Sequence, residues 1–451
     1  MTDIFSISAI QWFLVISTSV VFFALAPYAK DAATFFKAQH KGKQPNMWML
    51  TGSLIISWIF AKSITNAANL GLEFGLVGGV AYAGYYLSFA VAGILIYQLR
   101  TKGGYTSIHH FLTHRYGKQA MMLFSVLISL RLFNEVWSNT MVIGTYFGDT
   151  GSTPYYIAII LFTLLTLAYT LKGGLSSSIF TDVIQMLLFA VLLVVILSIL
   201  FTNETAQIEQ VWDAGTWSMS TGLNLFFAAL LQSFSYPFHD PVLTDRGFIS
   251  SPKITRSSFL WASFLGAICI ILFSLVGVFA QQAGLEGQAA VEVAKKLGAI
   301  LLLVINFIMV TSAASTLDST FSSFSKLISI DLGWNKSISF GRWMMVTVAV
   351  IGTIPVFLDA EILSATTISG TMVIGLTPVF LLWKWKMPRI SYFLSVACGL
   401  LFGLLLVFEV FPKSWILTEG SYASLLWINI YGLMASFLLF LTPLWIRKFS
   451  I

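Results

Sequence analysis

The sequence predicts an all-α, polytopic membrane protein of about thirteen transmembrane helices, and three observations predict it. Of its 451 residues, 57% are hydrophobic and only 10% are charged. Apolar runs of about 20 residues, the length a helix needs to cross the hydrocarbon layer, recur from near the first residue to near the last. Lys and Arg gather in every second connection, as they do in chains threaded repeatedly through a bilayer. Such a composition lies outside the soluble globular range. No stretch between the runs is long enough for a soluble domain, so residues 1–451 read as a single membrane domain.

The spans begin near positions 8, 46, 76, 119, 154, 176, 219, 256, 292, 338, 361, 389 and 421. The first, 8–29, reads as an uncleaved span: "MTDIFSISAI" has no basic n-region, and Pro27 sits badly after the cleavage-like "ALAP". Lys30, Lys37, Lys41 and Lys43 follow this span, and Arg100, Lys102, Arg115 and Lys118 follow the third. Lys172 follows the fifth, Arg246, Lys253 and Arg256 the seventh, and the bias continues through Lys336, Arg342, Lys384, Lys386 and Arg389 to Arg447 and Lys448. The alternate loops, such as "GDTGSTP" and "TNETAQIEQVWDAG", are acidic or neutral. Odd-numbered spans thus exit to the cytoplasm of a plasma membrane, with the N-terminus outside and the C-terminus inside. The formal charge of +6 is this bias, which removes the reason for a nucleic-acid reading.

Cys269 and Cys398 lie in apolar spans and suggest neither a disulfide nor a metal framework. His110 and His114 have the i,i+4 spacing of a metal pair, but no third ligand is near them and a solvated basic loop is the better reading. The spans hold no Ser/His/Asp arrangement and no HExxH pair, which argues against an enzyme. No repeated carbonyl filter suggests a channel.

Ionisable groups at mid-membrane are costly and mark functional paths by default. They are Lys62, Arg131, Glu135, Asp182, Asp240 and Asp318. Arg131 and Glu135 are four apart, so mutual neutralisation on one helix is an equal alternative. Two spans read as interrupted. "SWIFAKSITNAANLG" (57–71) puts a lysine and small polar residues at bilayer depth, and "QSFSYPFHDPVLTDRGF" (232–248) carries Pro237 and Pro241 around His239 and Asp240. Proline removes a backbone donor and clashes with the preceding turn. Freed backbone is tolerated in a membrane only where protein, water or ligand satisfies it. Counting after the first span, these are numbers one and six, and matched breaks in two five-helix halves point to an inverted-repeat transporter with a midplane site.

"TSAASTLDSTFSSFSK" (311–326) then places nine hydroxyls and an aspartate in a lipid-spanning run. On a helix Ser312, Ser315, Thr316, Ser319 and Ser323 share a face, with Asp318 on its flank. Together with carbonyls of an unwound neighbour they would form an oxygen-only, low-charge cage suited to a hard monovalent cation. The alternative is that these hydroxyls serve close helix packing and back-bonding; the aspartate is not needed for that.

Four blocks, "GGLSSSIFTDVIQ" (173–185), "GLNLFFAALLQSFSYPFHDPVLTDRGFISSP" (222–252), "SAASTLDS" (312–319) and "ISGTMVIGLTPVFLLWKW" (368–385), together with "TSIHHFLTHRYG", resemble the sodium:solute symporter family, which includes sodium/proline, sodium/sialic acid and sodium/glucose cotransporters. The resemblance implies a LeuT-like core: a first inverted repeat at 46–201, a second at 219–386, one helix before them at 8–29 and two after at 389–447. It implies a principal sodium site of the Ser315 and Thr316 hydroxyls, the Ser312 carbonyl and the carbonyls of Ile56 and Ile59. It also implies a second cation position, or a coupling role, at Asp182, Asp318 and Ser319, with Asp318 standing where a hydroxyl is more usual. Lys62 is a further departure, and Lys62 paired with Asp318 would compensate both. Lys62, Ser63, Arg131, Glu135, Trp137, Ser138, Tyr236, His239 and Asp240 are expected to line the substrate cavity.

The expected function is sodium-coupled symport of a small polar solute, carboxylate-bearing on the strength of Lys62, by alternating access. The expected coupling ion is Na+, no organic cofactor is expected, and the surroundings are the lipid bilayer. The alternatives are proton-coupled or sodium-independent transport, with the Lys62 ammonium replacing a cation, and a transport-inactive sensor or regulatory module.

Overall fold

The computed structural model describes residues 2–39, 42–203, 208–358 and 370–449. The chain begins with α1 (Thr2–Leu25), α2 (Ala32–Lys37), α3 (Met47–Trp58), α4 (Ala61–Phe74), α5 (Leu76–Ala83), α6 (Leu87–Thr101) and α7 (Ile108–Tyr116). It continues through α8 (Lys118–Thr145), α9 (Thr153–Gly173), α10 (Leu175–Phe201), α11 (Ile208–Val211), α12 (Asn224–Gln232), α13 (Tyr236–His239) and α14 (Pro241–Arg246). The remainder is α15 (Pro252–Gln282), α16 (Ala289–Leu297), α17 (Ala299–Lys326), α18 (Ile338–Thr353), α19 (Leu376–Leu381), α20 (Arg389–Val407) and α21 (Ala423–Phe449).

Starts and stops follow local chemistry. Asn46 accepts the Met49 amide at 2.9 Å and Ser107 that of His110 at 2.9 Å, each satisfying an orphan donor of the helix it opens. Gly174, at φ +59°, is the hinge between α9 and α10. A Cβ there would lie 2.5 Å from the Phe35 carbonyl oxygen, so only glycine lets the two helices meet against the segment that follows α1.

Ten helices among the described residues are long and apolar enough to cross a membrane. α3 and α4 pass that test only together, bent by 64°. The remaining two of the thirteen expected spans are not continuous helices. The run from 219 is divided among α12, α13 and α14 around Pro237 and Pro241. The run from 361 begins in 359–369, outside the described residues, and continues in α19. The expected span near 292 is displaced: α16 ends at Gly298, φ +99°, and α17 carries the crossing.

The chain forms two compact units. One comprises Met1–Val80, Leu132–Thr216 and Leu265–Ala360; the other comprises Ala81–Arg131, Trp217–Phe264 and Glu361–Ile451. In the first, α3, α10 and α17 pack against one another, α9 and α1 against α17, and α4 against α16 and α17. The second half of the bent span, α4, is held tightly here. A Cβ on Gly277 would lie 1.8 Å from the Ala68 carbonyl oxygen, Asn69 accepts the Ala289 amide at 3.0 Å, and Gln281 donates to the Leu72 carbonyl at 3.1 Å. In the second unit, α20 packs on α21, α12 on α21, and α13 and α14 on α6.

Candidate cation and solute site

α3 stops because its hydrogen-bond ladder does. The Ile59 amide still donates to the Ile55 carbonyl at 2.9 Å, and the next backbone bond across the break runs from the Ile64 amide to the Phe60 carbonyl at 3.0 Å. The carbonyls of 56 to 59 therefore fall where a helix end leaves acceptors over. Ile56 and Ile59, both fully buried, stand in this gap.

Ser53 and Ser57, on the face of α3 that leads to the gap, enter a polar cluster built from three helices. Ser53 Oγ donates to Asp182 Oδ2 of α10 at 2.5 Å, and Ser315 Oγ of α17 donates to Asp182 Oδ1 at 2.6 Å. Asp182 thus ties α3 to α17 through its two oxygens. Ser57 Oγ lies 3.2 Å from Ser319 Oγ. Thr316 Oγ1 donates to the Ser312 carbonyl at 3.2 Å, so these two expected ligand atoms are adjacent. Ser312 Oγ and Ser323 Oγ are buried with no hydrogen-bond partner among the described residues.

Asp318, also fully buried, has a shell of hydroxyl donors: Ser178 at 2.8 Å on Oδ1, Thr181 at 2.9 Å and Tyr169 at 3.0 Å on Oδ2, and Ser319 at 3.3 Å on Oδ1. The expected Lys62–Asp318 pair is not what the structure forms. The Lys62 ammonium, in α4, faces Glu135 Oε1 at 3.6 Å and donates to Ser138 Oγ at 3.0 Å, both in α8. Lys62 lies beyond the bend, so its stem leads toward α8, whereas Asp318 faces α9 and α10.

α8 supplies the other polar contacts. Asn139 Nδ2 donates to Glu135 Oε2 at 3.0 Å, and Trp137, half-buried, donates its indole N–H to Met141 Sδ. Ser63 is buried beside Lys62 in the chain. In the second unit, Arg131 lies 3.7 Å from Asp240 and its guanidinium sits over the Tyr236 ring at 5.1 Å. Asp240 also caps α14, accepting the Val242 amide at 2.9 Å and the Leu243 amide at 3.3 Å. His239 Nε2 lies 3.2 Å from the Leu127 carbonyl oxygen. Arg131 and Glu135 therefore each face an opposite charge on another helix, which the i,i+4 reading did not foresee. His110 and His114 are exposed, their Nδ1 atoms 3.2 Å from Thr106 Oγ1 and 3.4 Å from Tyr105 Oη.

Several members of these clusters were missed in the sequence. Ser178 and Thr181 share a helical face with the expected Asp182 by i, i+3, i+4 spacing and could have been found from it; so could Ser53 and Ser57. Asn139 has the same relation to Glu135 and Ser138, whereas Tyr169 carries no such signal. Chemically, the side-chain bonds described for the α3/α10/α17 cluster run among hydroxyls, carbonyls and two carboxylates, an environment for a hard cation.

A family model for the sodium:solute symporter family matches residues 42–220. A sodium/glucose cotransporter of Vibrio parahaemolyticus is 25% identical over 447 aligned residues, covering 84% of this chain and 80% of that one. Sodium/glucose cotransporter 1 of Oryctolagus cuniculus is 25% identical over 150 residues, 31% of this chain and 23% of that protein. This chain spans about a fifth to a third of the length of the first curated relatives it matches. A solved Na+-coupled sialic acid symporter, substrate-bound and outward-open, aligns with 97% of this chain and 98% of its own at a TM-score of 0.69 and 17% identity. Mhp1, a nucleobase-cation-symport-1 family transporter, aligns with 94% and 95% at 0.57 and 14%. The fold is LeuT-like. The resemblance read from the sequence blocks stands. The protein is a multi-pass membrane protein whose relatives are transporters, not enzymes.

Proposed function

We propose that this chain is a member of the sodium:solute symporter family and couples inward sodium movement to uptake of a small polar solute by alternating access. The observation that carries the reading is Asp182, whose two oxygens take Ser53 of α3 and Ser315 of α17 at 2.5 and 2.6 Å next to the gap in the α3 ladder. The principal sodium site would use the Ser315 and Thr316 hydroxyls with the carbonyls of Ser312, Ile56 and Ile59; Asp182, Asp318 and Ser319 would hold a second cation or couple to the first. A cation here joins α3 to α17, so its loss on the inner side loosens that contact. Coupling then requires that ion and solute bind one conformation better than the other. The lysine-for-cation reading loses support, because the Lys62 ammonium is engaged by Glu135 and Ser138.

The repeats at 46–201 and 219–386 and the outside N-terminus, inside C-terminus and plasma-membrane location are part of the proposal. It is tested by thermal unfolding of the detergent-purified protein across a sodium titration, with potassium holding ionic strength constant, in wild type and Ser315→Ala/Thr316→Ala. The expected result is a saturable, sodium-specific rise in Tm that the variant lacks, as mass-action linkage requires. A wild-type curve that does not distinguish sodium from potassium would refute it.

A further inference from the structure

The Lys62–Glu135 pair bears on the chemical class of the solute, an inference that rests on the transporter reading and deepens it. Lys62 follows the 64° bend between α3 and α4, where helical backbone is interrupted within an apolar run. Its side chain is fully buried and that of Glu135 is 7% exposed. The charged atoms stand 3.6 Å apart, beyond the roughly 2.7–2.9 Å of a charge-assisted hydrogen bond. Each has a neutral companion on α8: Ser138 Oγ accepts from Lys62 at 3.0 Å, and Asn139 Nδ2 donates to Glu135 at 3.0 Å. The other end of that amide, Asn139 Oδ1, is buried with no hydrogen-bond partner among the described residues. All four residues belong to one compact unit.

A buried ion pair is a poor way to gain stability, since apolar residues of similar volume do as well or better. This pair also sits where a transporter interrupts its helices around cargo. We propose that Lys62 and Glu135 are the charge-recognition pair for a zwitterionic solute, carrying a carboxylate and an ammonium group. The carboxylate binds Lys62 Nζ and the Ser138 hydroxyl; the ammonium binds the Glu135 carboxylate and Asn139 Oδ1. The selection follows from charge balance. A solute with only a carboxylate would draw Lys62 from Glu135 with no positive charge to replace it there, and a simple amine would do the reverse. Stranding one buried charge is far more costly than opening a pair. A zwitterion exchanges one internal ion pair for two external ones and strands neither.

The test uses purified full-length protein in sodium and follows Tm against four probe sets: the common L-amino acids with glycine betaine, their deaminated carboxylates, their decarboxylated amines, and uncharged sugars and polyols. A zwitterion is expected to raise Tm saturably, with a midpoint at least ten-fold below those of its matching carboxylate and amine. Lys62→Gln and Glu135→Gln should each raise that midpoint at least a hundred-fold. Because single variants leave one buried charge, Lys62→Met/Glu135→Leu is the control: it should fold and keep the sodium response but lose the zwitterion response. A zwitterion response that survives in the double variant overturns the proposal. So does a response confined to uncharged solutes, or no response to any charged probe while sodium still stabilises. A zwitterion response in potassium together with no sodium response would instead sink the sodium reading and leave the pair's role standing.

Discussion

Asp318→Asn separates a cation-site carboxylate from a structural one. The side chain keeps its shape and loses its charge and one acceptor oxygen. The structure makes the structural cost small, because every donor on Asp318 has a second acceptor nearby. Thr181 Oγ1 lies 3.0 Å from the carbonyls of both Ser177 and Ser178, Ser178 Oγ 3.0 Å from Ser319 Oγ, Ser319 Oγ 3.2 Å from Ser57 Oγ, and Tyr169 Oη 3.3 Å from the Ala314 carbonyl. The net loss without sodium is about 1 kcal/mol, one weakened hydrogen bond, and removing a carboxylate that shares a buried cluster with Asp182 offsets part of it. The effect expected on sodium at the proposed site is larger. One unit charge at roughly 5 Å and an effective dielectric of about 20 is worth about 3 kcal/mol, about two orders of magnitude in affinity. Thermal unfolding across a sodium series measures both quantities, as the Tm at zero sodium and the midpoint of the rise. The expected variant has a Tm within a few degrees of wild type and a midpoint shifted upward about a hundred-fold. A collapse of the sodium-free Tm with an unmoved midpoint would make Asp318 a packing element and not a cation-site carboxylate.

Other substitutions test other parts of the account. Lys62→Met leaves Glu135 buried without its ammonium and should cost about 3–5 kcal/mol by chemical unfolding, most of it recovered in Lys62→Met/Glu135→Leu; a double variant no better than the single would contradict the pairing. Gly277→Ala brings a methyl to 1.8 Å from the Ala68 carbonyl oxygen, so α4 must move and about 1–3 kcal/mol of stability should be lost; an unchanged Tm would mean this contact gives easily. Asp240→Asn keeps an oxygen for the Val242 amide and should cost less than Asp240→Ala, which removes both the cap and the charge facing Arg131, the difference being about 1 kcal/mol or more. Equal losses in the two would assign the whole effect to the charge.

Much of the fold was legible because spanning length, basic loops and proline positions are local properties. Pro237 and Pro241 marked the division of the 219 run, and the hydroxyl face of α17 followed from helical spacing alone. What failed was partner choice. Arg131 and Glu135 read equally as an i,i+4 pair or as cavity residues, and the spacing did not show that α8 brings Arg131 to Asp240 and Glu135 to Lys62. Lys62 seemed matched to Asp318 by sign alone, but four hydroxyls on α9, α10 and α17 already surround that carboxylate. Sequence counts charges; it does not tell which helix face meets which. Tyr169 is an extreme case, since a single phenol in an apolar run gives no hint that its oxygen reaches Asp318 at 3.0 Å.

A cation held between α3 and α17 is measured by equilibrium binding of radioactive sodium to the purified protein, without solute and at constant ionic strength, in wild type and Ser315→Ala/Thr316→Ala. The expected result is saturable binding displaced by unlabelled sodium and not by potassium, and its loss in a variant that remains folded. Wild-type binding no greater than background, or binding unchanged in the variant, would contradict a cation held between α3 and α17.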